Sequence, residues 1–281
     1  MSIDRRGFIK SAGLAGLAIG AAAGQVRGQE DVVLKLSSQE GRIPGESLRE
    51  KVQRMAEWGF EGIEPDGCGL SSRVEEYHQA LGGTPVSVSA VCAGYEGCII
   101  SHDEAERQKA IDTIKTLLDA VGAIGSTGLI VVPAFHGQTE LSSQEARPIL
   151  IDNLREVGEH AASVGTCECY FLRQLADAAA ICRDVDSEGV RMMGDFYHMG
   201  IEETSDRGAF ISAGEYLRHV HLASLRRVLP GQDERSFVDG FRGLKEIGFT
   251  EYCSLECGCD GDPMEEIPKS VAFLNQQWAE A

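Results

Sequence analysis

The chain has 281 residues, 43% of them hydrophobic, and carries 26 Lys and Arg against 44 Asp and Glu, for a formal net charge of −18. That length suits one domain around a single large core. The acidic balance excludes a nucleic-acid surface, which needs clustered cations to meet phosphates, whereas basic residues here occur in short runs such as Arg226-Arg227.

The chain opens with Arg5-Arg6-Gly7-Phe8-Ile9-Lys10, followed by an apolar Gly/Ala-rich run from Ala12 to Ala23 that includes Leu14, Leu17 and Ile19. A paired-arginine head, a modest apolar stretch and the small residues Ala21-Ala22-Ala23 form the pattern of a twin-arginine export signal. Residues 1–29 are therefore expected to be a removed signal peptide that directs the protein to the periplasm, and residues 30–281 a single domain. The apolar run is too short to span a bilayer, and no other segment reaches that length, so no stable membrane span is expected.

After the signal, short β-branched runs alternate with longer amphipathic stretches, the mark of βαβ units and a parallel sheet. Strands are predicted at Val32–Leu36, Gly62–Pro65, Val86–Cys92, Gly128–Ala134, Val190–Phe196, His219–Ala223 and Tyr252–Cys257. Helical spacing covers Ser47–Trp58, Ser72–Leu81, Asp103–Ile124, Ser142–Val164, Phe171–Val185, Ala209–Leu217, Phe237–Ile247 and Glu265–Trp278. Capping boxes at Ser47/Glu50, Ser72/Glu75, Ser101/Glu104 and Ser142/Glu145 mark helix starts, and Gly59 and Gly248 mark helix ends. The helices outnumber the strands by one. Between the helix ending near Val164 and the one starting near Phe171, about six residues remain where two loops and a strand need roughly ten. The predicted fold is an α/β TIM (β/α)8 barrel with its fifth strand truncated or missing.

The chemistry-bearing residues cluster at predicted strand ends, where a (β/α)8 barrel gathers its site. Asp195 ends the Val190 strand, where an acid serves either as a helix N-cap or as a metal ligand, and His198 follows on the same turn. In His219-Val220-His221 both imidazoles share one face. His221 lies nearer the mouth as a ligand, and His219 lies a layer lower as support. Arg227, on the following loop, offers a planar fork to a substrate hydroxyl, carboxylate or phosphate, or stands as a solvated arginine. Glu256 ends the Tyr252 strand, placed to bind metal and move a proton or to form a rim salt bridge. Glu64, at the end of the second strand, and His136, after the fourth, are weaker candidates for contact with substrate. Carboxylates with imidazole suit one divalent metal ion, Mn, Mg, Co or Zn. The nine cysteines are odd in number and lack a C-x-x-C zinc pattern. The nearest pairs, Cys167 with Cys169 and Cys257 with Cys259, read as buried free thiols in preference to a periplasmic disulfide.

Gly194-Asp195-Phe196-Tyr197-His198-Met199, His219-Val220-His221-Leu222-Ala223 with Arg227-Val228-Leu229-Pro230-Gly231, and Ser254-Leu255-Glu256 together resemble the xylose-isomerase-like TIM-barrel superfamily. Within it they resemble the sugar phosphate isomerase/epimerase branch, which includes the ketose 3-epimerases and hydroxypyruvate isomerases. The resemblance spans about residues 30 to 280. It implies metal ligands at Asp195, His221 and Glu256, substrate contacts at His198 and Arg227, and a small sugar or sugar-derived substrate. In such epimerases two glutamates on opposite faces of the substrate remove and return a proton, which assigns catalysis to Glu256 and, through Glu168-Cys169-Tyr170-Phe171-Leu172, to Glu168 as the second, substrate-contacting glutamate. The fifth-strand metal ligand of the family, in its Glu-Pro-Leu-Asn-Arg phrase, has no counterpart here. Three outcomes follow: a stunted strand with Glu168 shifted into the vacant position; a three-ligand site with weakened metal affinity and no second proton shuttle, which is the outcome favoured; or a barrel that fails to close. The reading favoured is a metal-dependent sugar or sugar-phosphate isomerase/epimerase acting through an enediolate, with activity impaired by the missing glutamate. A carbohydrate-binding pseudoenzyme and a polyol- or shikimate-type dehydratase are the alternatives. A related apurinic-site endonuclease is disfavoured by the acidic charge. A homo-oligomer is left open.

Overall fold

A computed structural model of the protein describes residues 32–135, 137–170 and 173–281. The twin-arginine pattern and His136 lie outside the described residues. Residues 32–281 form one compact unit. Its strands are β1 (Lys35–Gln39), β2 (Gly62–Glu64), β3 (Ser87–Val88), β4 (Ala90–Cys92), β5 (Gly128–Val131), β6 (Glu168–Tyr170), β7 (Val190–Asp195), β8 (Leu217–Leu222) and β9 (Tyr252–Leu255). All pair in parallel, in the order β3-β2-β1-β9-β8-β7-β6-β5-β4. β3 and β4 are one barrel strand interrupted at Ser89, whose N–H donates to Ile63 O (2.9 Å) and whose carbonyl accepts from Thr127 N (3.0 Å). Those two bonds carry the ladder across the break and close the barrel at eight strand positions.

The helices that follow the strands are α1 (Leu48–Trp58), α2 (Val74–Leu81), α3 (Glu104–Ala123), α4 (Ser143–Ser163), α5 (Leu175–Val185), α6 (Phe196–Glu202), α7 (Asp206–Ala213), α8 (Val238–Glu246) and α9 (Pro263–Glu280). The Ser142/Glu145 capping box forms in full, and Gly59 closes α1 in the left-handed conformation. The other boxes are corrected. Ser47 caps α1, but Glu50 turns to Glu46 N; Asp103, not Ser101, caps α3; and α2 starts after Arg73 with no side-chain cap. In each case another local partner competes for the same donor or acceptor.

The fifth barrel strand is present and, among the described residues, is as long as β2 and β4. β6 holds three residues and pairs on both sides, Leu129 with Glu168 and Glu168 with Val190. Of the three outcomes, a barrel that fails to close is therefore excluded: a strand needs backbone partners more than length. Close packing helps to bridge the short segment. A Cβ on Gly189 would sit 1.9 Å from Gly158 O, so α4 lies against the start of β7 only because both residues are glycine.

Alternate strand residues divide the interior into two layers. Leu36, Ile63, Val91, Leu129, Val220 and Leu255 face the helices and join the main core. Inside the barrel, Ala90, Ile130, Cys167 and Met193 form a small separate cluster on one side. The other side is polar, with Ser37, Glu64, Ser89, His219 and Ser254 all buried. Cys68, Cys92, Cys98, Cys253, Cys257 and Cys259 are free thiols. Among the described residues no helix is long and apolar enough to cross a membrane.

Candidate metal centre

Asp195 stands where β7 gives way to α6 and does two jobs, because its oxygens divide. Oδ1 accepts from Tyr197 N (2.8 Å) and His198 N (3.4 Å) as the N-cap, while Oδ2 faces His221 Nδ1 and His198 Nε2, each at 3.9 Å. The N-cap role is filled by Oδ1, and Oδ2 keeps the position from which a ligand is expected to act. The cap bonds also produce α6, a seven-residue helix without a periodic signal of its own.

His221, one residue from the end of β8, is 4% exposed. Its Nε2 lies 3.1 Å from both oxygens of Glu64, so a Nε2–H donated there leaves Nδ1 turned toward Asp195. Glu256 follows β9, and its oxygens accept from Arg227 Nη2 at 2.7 and 2.6 Å. The Arg227 guanidinium lies over the Tyr197 ring, 5.1 Å from its centroid. One ligand atom each from Asp195, His221 and Glu256 lie within 4.8 Å of one another. Two carboxylate oxygens and a bare imidazole nitrogen at that spacing fit a divalent ion such as Mn, Mg, Co or Zn.

Glu64 has a different place from the mouth contact expected of it. It is 1% exposed, and its oxygens meet His219 Nε2 (2.9 Å), His221 Nε2 and Gln39 Nε2 (3.0 Å). Burial pushes the Glu64 carboxyl up, but His221 and His219 outweigh it and hold the group far below the usual carboxylate range. Burial likewise pushes His221 down, yet Glu64, backed by Asp195 and Glu256, raises it to about 9. His219 lies a layer deeper, fully buried, and burial lowers its pKa despite its bond to Glu64. Its Nδ1 has no hydrogen-bond partner among the described residues.

A cavity of about 510 Å³ opens over this group. Arg173, Asp195, His198, His221, Arg227 and Glu256 supply its polar side, while Ile100, Val132, Pro133 and Phe135 contribute an apolar wall. The structure thus brings together five of the expected site residues, with Glu64 beneath them. Glu168 is set apart. Its backbone pairs with Val190, five residues before Asp195 along β7, which places it about 16 Å from the mouth at the usual strand rise. Two contributors escape the sequence reading. Arg173 follows the segment that has no recognisable strand, and Gln39 is an uncharged residue whose role depends on reaching Glu64 on another strand.

The sequence pattern of a family described as xylose isomerase-like TIM barrel matches residues 52–277. The 3-dehydro-D-guloside 4-epimerase of Escherichia coli K12 is 30% identical over 260 residues, covering 86% of this chain and 99% of that one. A crystal structure of 3-keto-D-glucoside 4-epimerase from E. coli superposes with a TM-score of 0.81 at 29% identity, covering 87% of this chain and all of the other. D-Psicose 3-epimerase with D-tagatose, from Clostridium cellulolyticum H10, shares the fold, with a TM-score of 0.73, 19% identity and coverage of 87% and 96%.

Proposed function

We propose that this chain, which belongs to the xylose isomerase-like TIM barrel family, is a metal-dependent epimerase of a keto sugar that works through an enediolate. The observation that carries the proposal is the convergence of Asp195, His221 and Glu256 within 4.8 Å at three successive strand ends. Likeness over nearly full length to a 4-epimerase of a 3-dehydro sugar supports the substrate class. In such a sugar the hydrogen on the carbon beside the carbonyl is acidic, and its removal gives an enediolate that can be reprotonated on the other face.

When bound by Asp195, His221 and Glu256, a divalent ion supplies a Lewis acid for the carbonyl and its neighbouring hydroxyl and stabilises the developing negative charge. The residues do the rest. Glu256 takes the proton from the carbon beside the carbonyl, held in orientation by the two bonds from Arg227. Epimerisation needs a second proton carrier across the substrate. Among the described residues, the cavity lining holds one imidazole outside the ligand cluster, His198, and we assign it that role. The apolar wall excludes water from the other side. Losing one of two matched acid/base carboxylates costs about 10²–10⁴ in rate, so slow turnover is expected.

Export of the already folded protein to the periplasm through Arg5-Arg6, with residues 30–281 as the mature domain, belongs to the same proposal and rests on sequence alone. The test is to incubate metal-loaded protein with keto sugars in D₂O. Deuterium entering the carbon beside the carbonyl, abolished by Glu256→Gln and by chelator, is the expected result. Sugar-induced stabilisation without any exchange would overturn the enzyme reading in favour of a sugar-binding protein, which the absence of a fifth-strand acid from the described site also suits.

A further inference from the structure

We infer that the sugar taken by this site carries a carboxylate, which Arg173 receives. The inference rests on the epimerase reading for the identity of the cavity and goes further by naming the substrate class. The charges are countable. Asp195, Glu256 and the Glu64 carboxylate bonded to His221 bring three negative charges, Arg173 and Arg227 bring two positive charges, and a divalent ion held by the three ligands adds two more. The loaded site is then net positive by one in a protein whose formal net charge is −18. A neutral sugar leaves that excess unanswered inside a partly apolar enclosure, where uncompensated charge is costly.

The two arginines are in different states. Arg227 is committed, with both its contacts to Glu256 made and its guanidinium stacked on Tyr197. Arg173 lines the same cavity, is exposed, and makes no hydrogen bond or ion pair among the described residues. An unengaged guanidinium facing a ligand cavity is a bidentate receptor for a planar oxyanion. It also stands in the sector after β6, where the resemblance leads one to expect an acid, so that sector has turned from repelling an anion to attracting one.

A carboxylate fits better than a phosphate. Phosphate sites draw on free backbone N–H groups at helix starts, and those nearest are already taken by acids. Glu203 Oε1 accepts from Leu175 N at the start of α5 (2.8 Å), and Asp195 Oδ1 accepts from Tyr197 N at the start of α6 (2.8 Å). A single guanidinium without such support matches a monoanion. The ligand implied is therefore an oxidised sugar, a keto-uronate, with its hydroxyl-bearing carbons toward the ion and its carboxylate toward Arg173.

The experiment is calorimetric titration of metal-loaded and chelated protein with D-fructuronate and D-fructose, which differ only at C6, using the wild type, Arg173→Gln and Arg173→Lys. Charge-assisted bonds of this kind are expected to give the uronate an advantage of about tenfold or more. Arg173→Gln should remove that advantage and Arg173→Lys should restore part of it. Equal affinity for the two sugars, no uronate binding, or a preference that survives Arg173→Gln would each overturn the inference. Deuterium exchange keeps it separate from the functional reading. Exchange into D-fructose with no uronate preference sinks only the carboxylate, whereas a uronate preference that depends on Arg173, with no exchange into either sugar, sinks only the epimerase.

Discussion

Replacing Glu64 with Gln should change how metal affinity depends on pH more than it changes affinity at any single pH. In the wild type His221 is raised to about 9. At pH 7 only about 1% of molecules therefore offer a bare Nδ1, and a metal must displace one proton to bind. Affinity should rise about tenfold per pH unit from pH 6.5 until it levels near 9. Glu64→Gln keeps the volume but removes the anion that overcomes burial, so His221 falls below its ordinary value and binds metal without releasing a proton at neutral pH. Removing such a carboxylate partner also loosens the imidazole, at a cost of about 10–100-fold in affinity. Near pH 7 the two effects oppose each other, so a single measurement there is blind. The slope is not. Mn²⁺ titrations from pH 6.0 to 8.5, under inert gas and in buffers of different ionisation enthalpy to count protons, should show a steep line for the wild type. Glu64→Gln should give a nearly flat line that is about tenfold weaker at pH 8.5. Circular dichroism verifies that the variant is folded. Parallel lines with equal proton release would refute the assignment of Glu64 as the group that sets the protonation of His221.

Asp195→Ala should reduce bound metal, measured by elemental analysis, from near one per chain to a trace, because the variant loses one of three ligands along with the N-cap of α6. Glu168→Ala should leave metal content unchanged, since its backbone lies at the far end of β6; loss of metal would show that the side chain reaches the mouth after all. In chelated protein the pH dependence of stability follows from His221. Its folded pKa of about 9 lies above its ordinary 6.5, so its contribution is complete below pH 6.5 and is lost as pH rises through 9, amounting to about 3 kcal/mol. Urea midpoints in chelator should accordingly fall between pH 6.5 and 9.5, and a flat profile would contradict the charged pairing with Glu64. Changing Arg5 and Arg6 to Lys should hold the protein in the cytoplasm, as read by cell fractionation; unchanged export would remove the twin-arginine reading.

What was legible in the sequence follows from how far apart the interacting residues lie. Asp195, His221 and Glu256 could be found because βα alternation locates strand ends one at a time, and a barrel brings all strand ends to one rim. The His219-Val220-His221 alternation put both imidazoles on the inner face and ranked their depth, as the structure shows. The sequence places Glu64 at a strand end near the mouth, but its attachment to His219 and His221 leaves no local signal. Those contacts join residues separated in sequence by 155 and 157 positions, from strands that are not neighbours in the sheet. Local periodicity is silent on contacts across a barrel interior. The failed capping boxes at Ser72 and Ser101 show the opposite limit. There the signal is local, and equally local competitors, the Gly69 carbonyl for Ser72 and the Asp103 side chain at α3, prevail.

The fifth strand separates what a barrel needs to close from what it needs to react. Closure is satisfied by the backbone, and the three residues of β6 pair with β5 on one side and β7 on the other. Chemistry requires a side chain at the C-terminal end of the strand, and the Glu-Pro-Leu-Asn-Arg phrase that the resemblance leads one to expect there has no counterpart in this sequence. The three candidate donors sit at the ends of β7, β8 and β9, which adjoin one another in the sheet, so their spacing is set by the pairing of those three strands. On the proposed reading, metal binding should keep this geometry with three donors, and Arg173, which lines the same cavity in the sector after β6, faces whatever that guanidinium recognises.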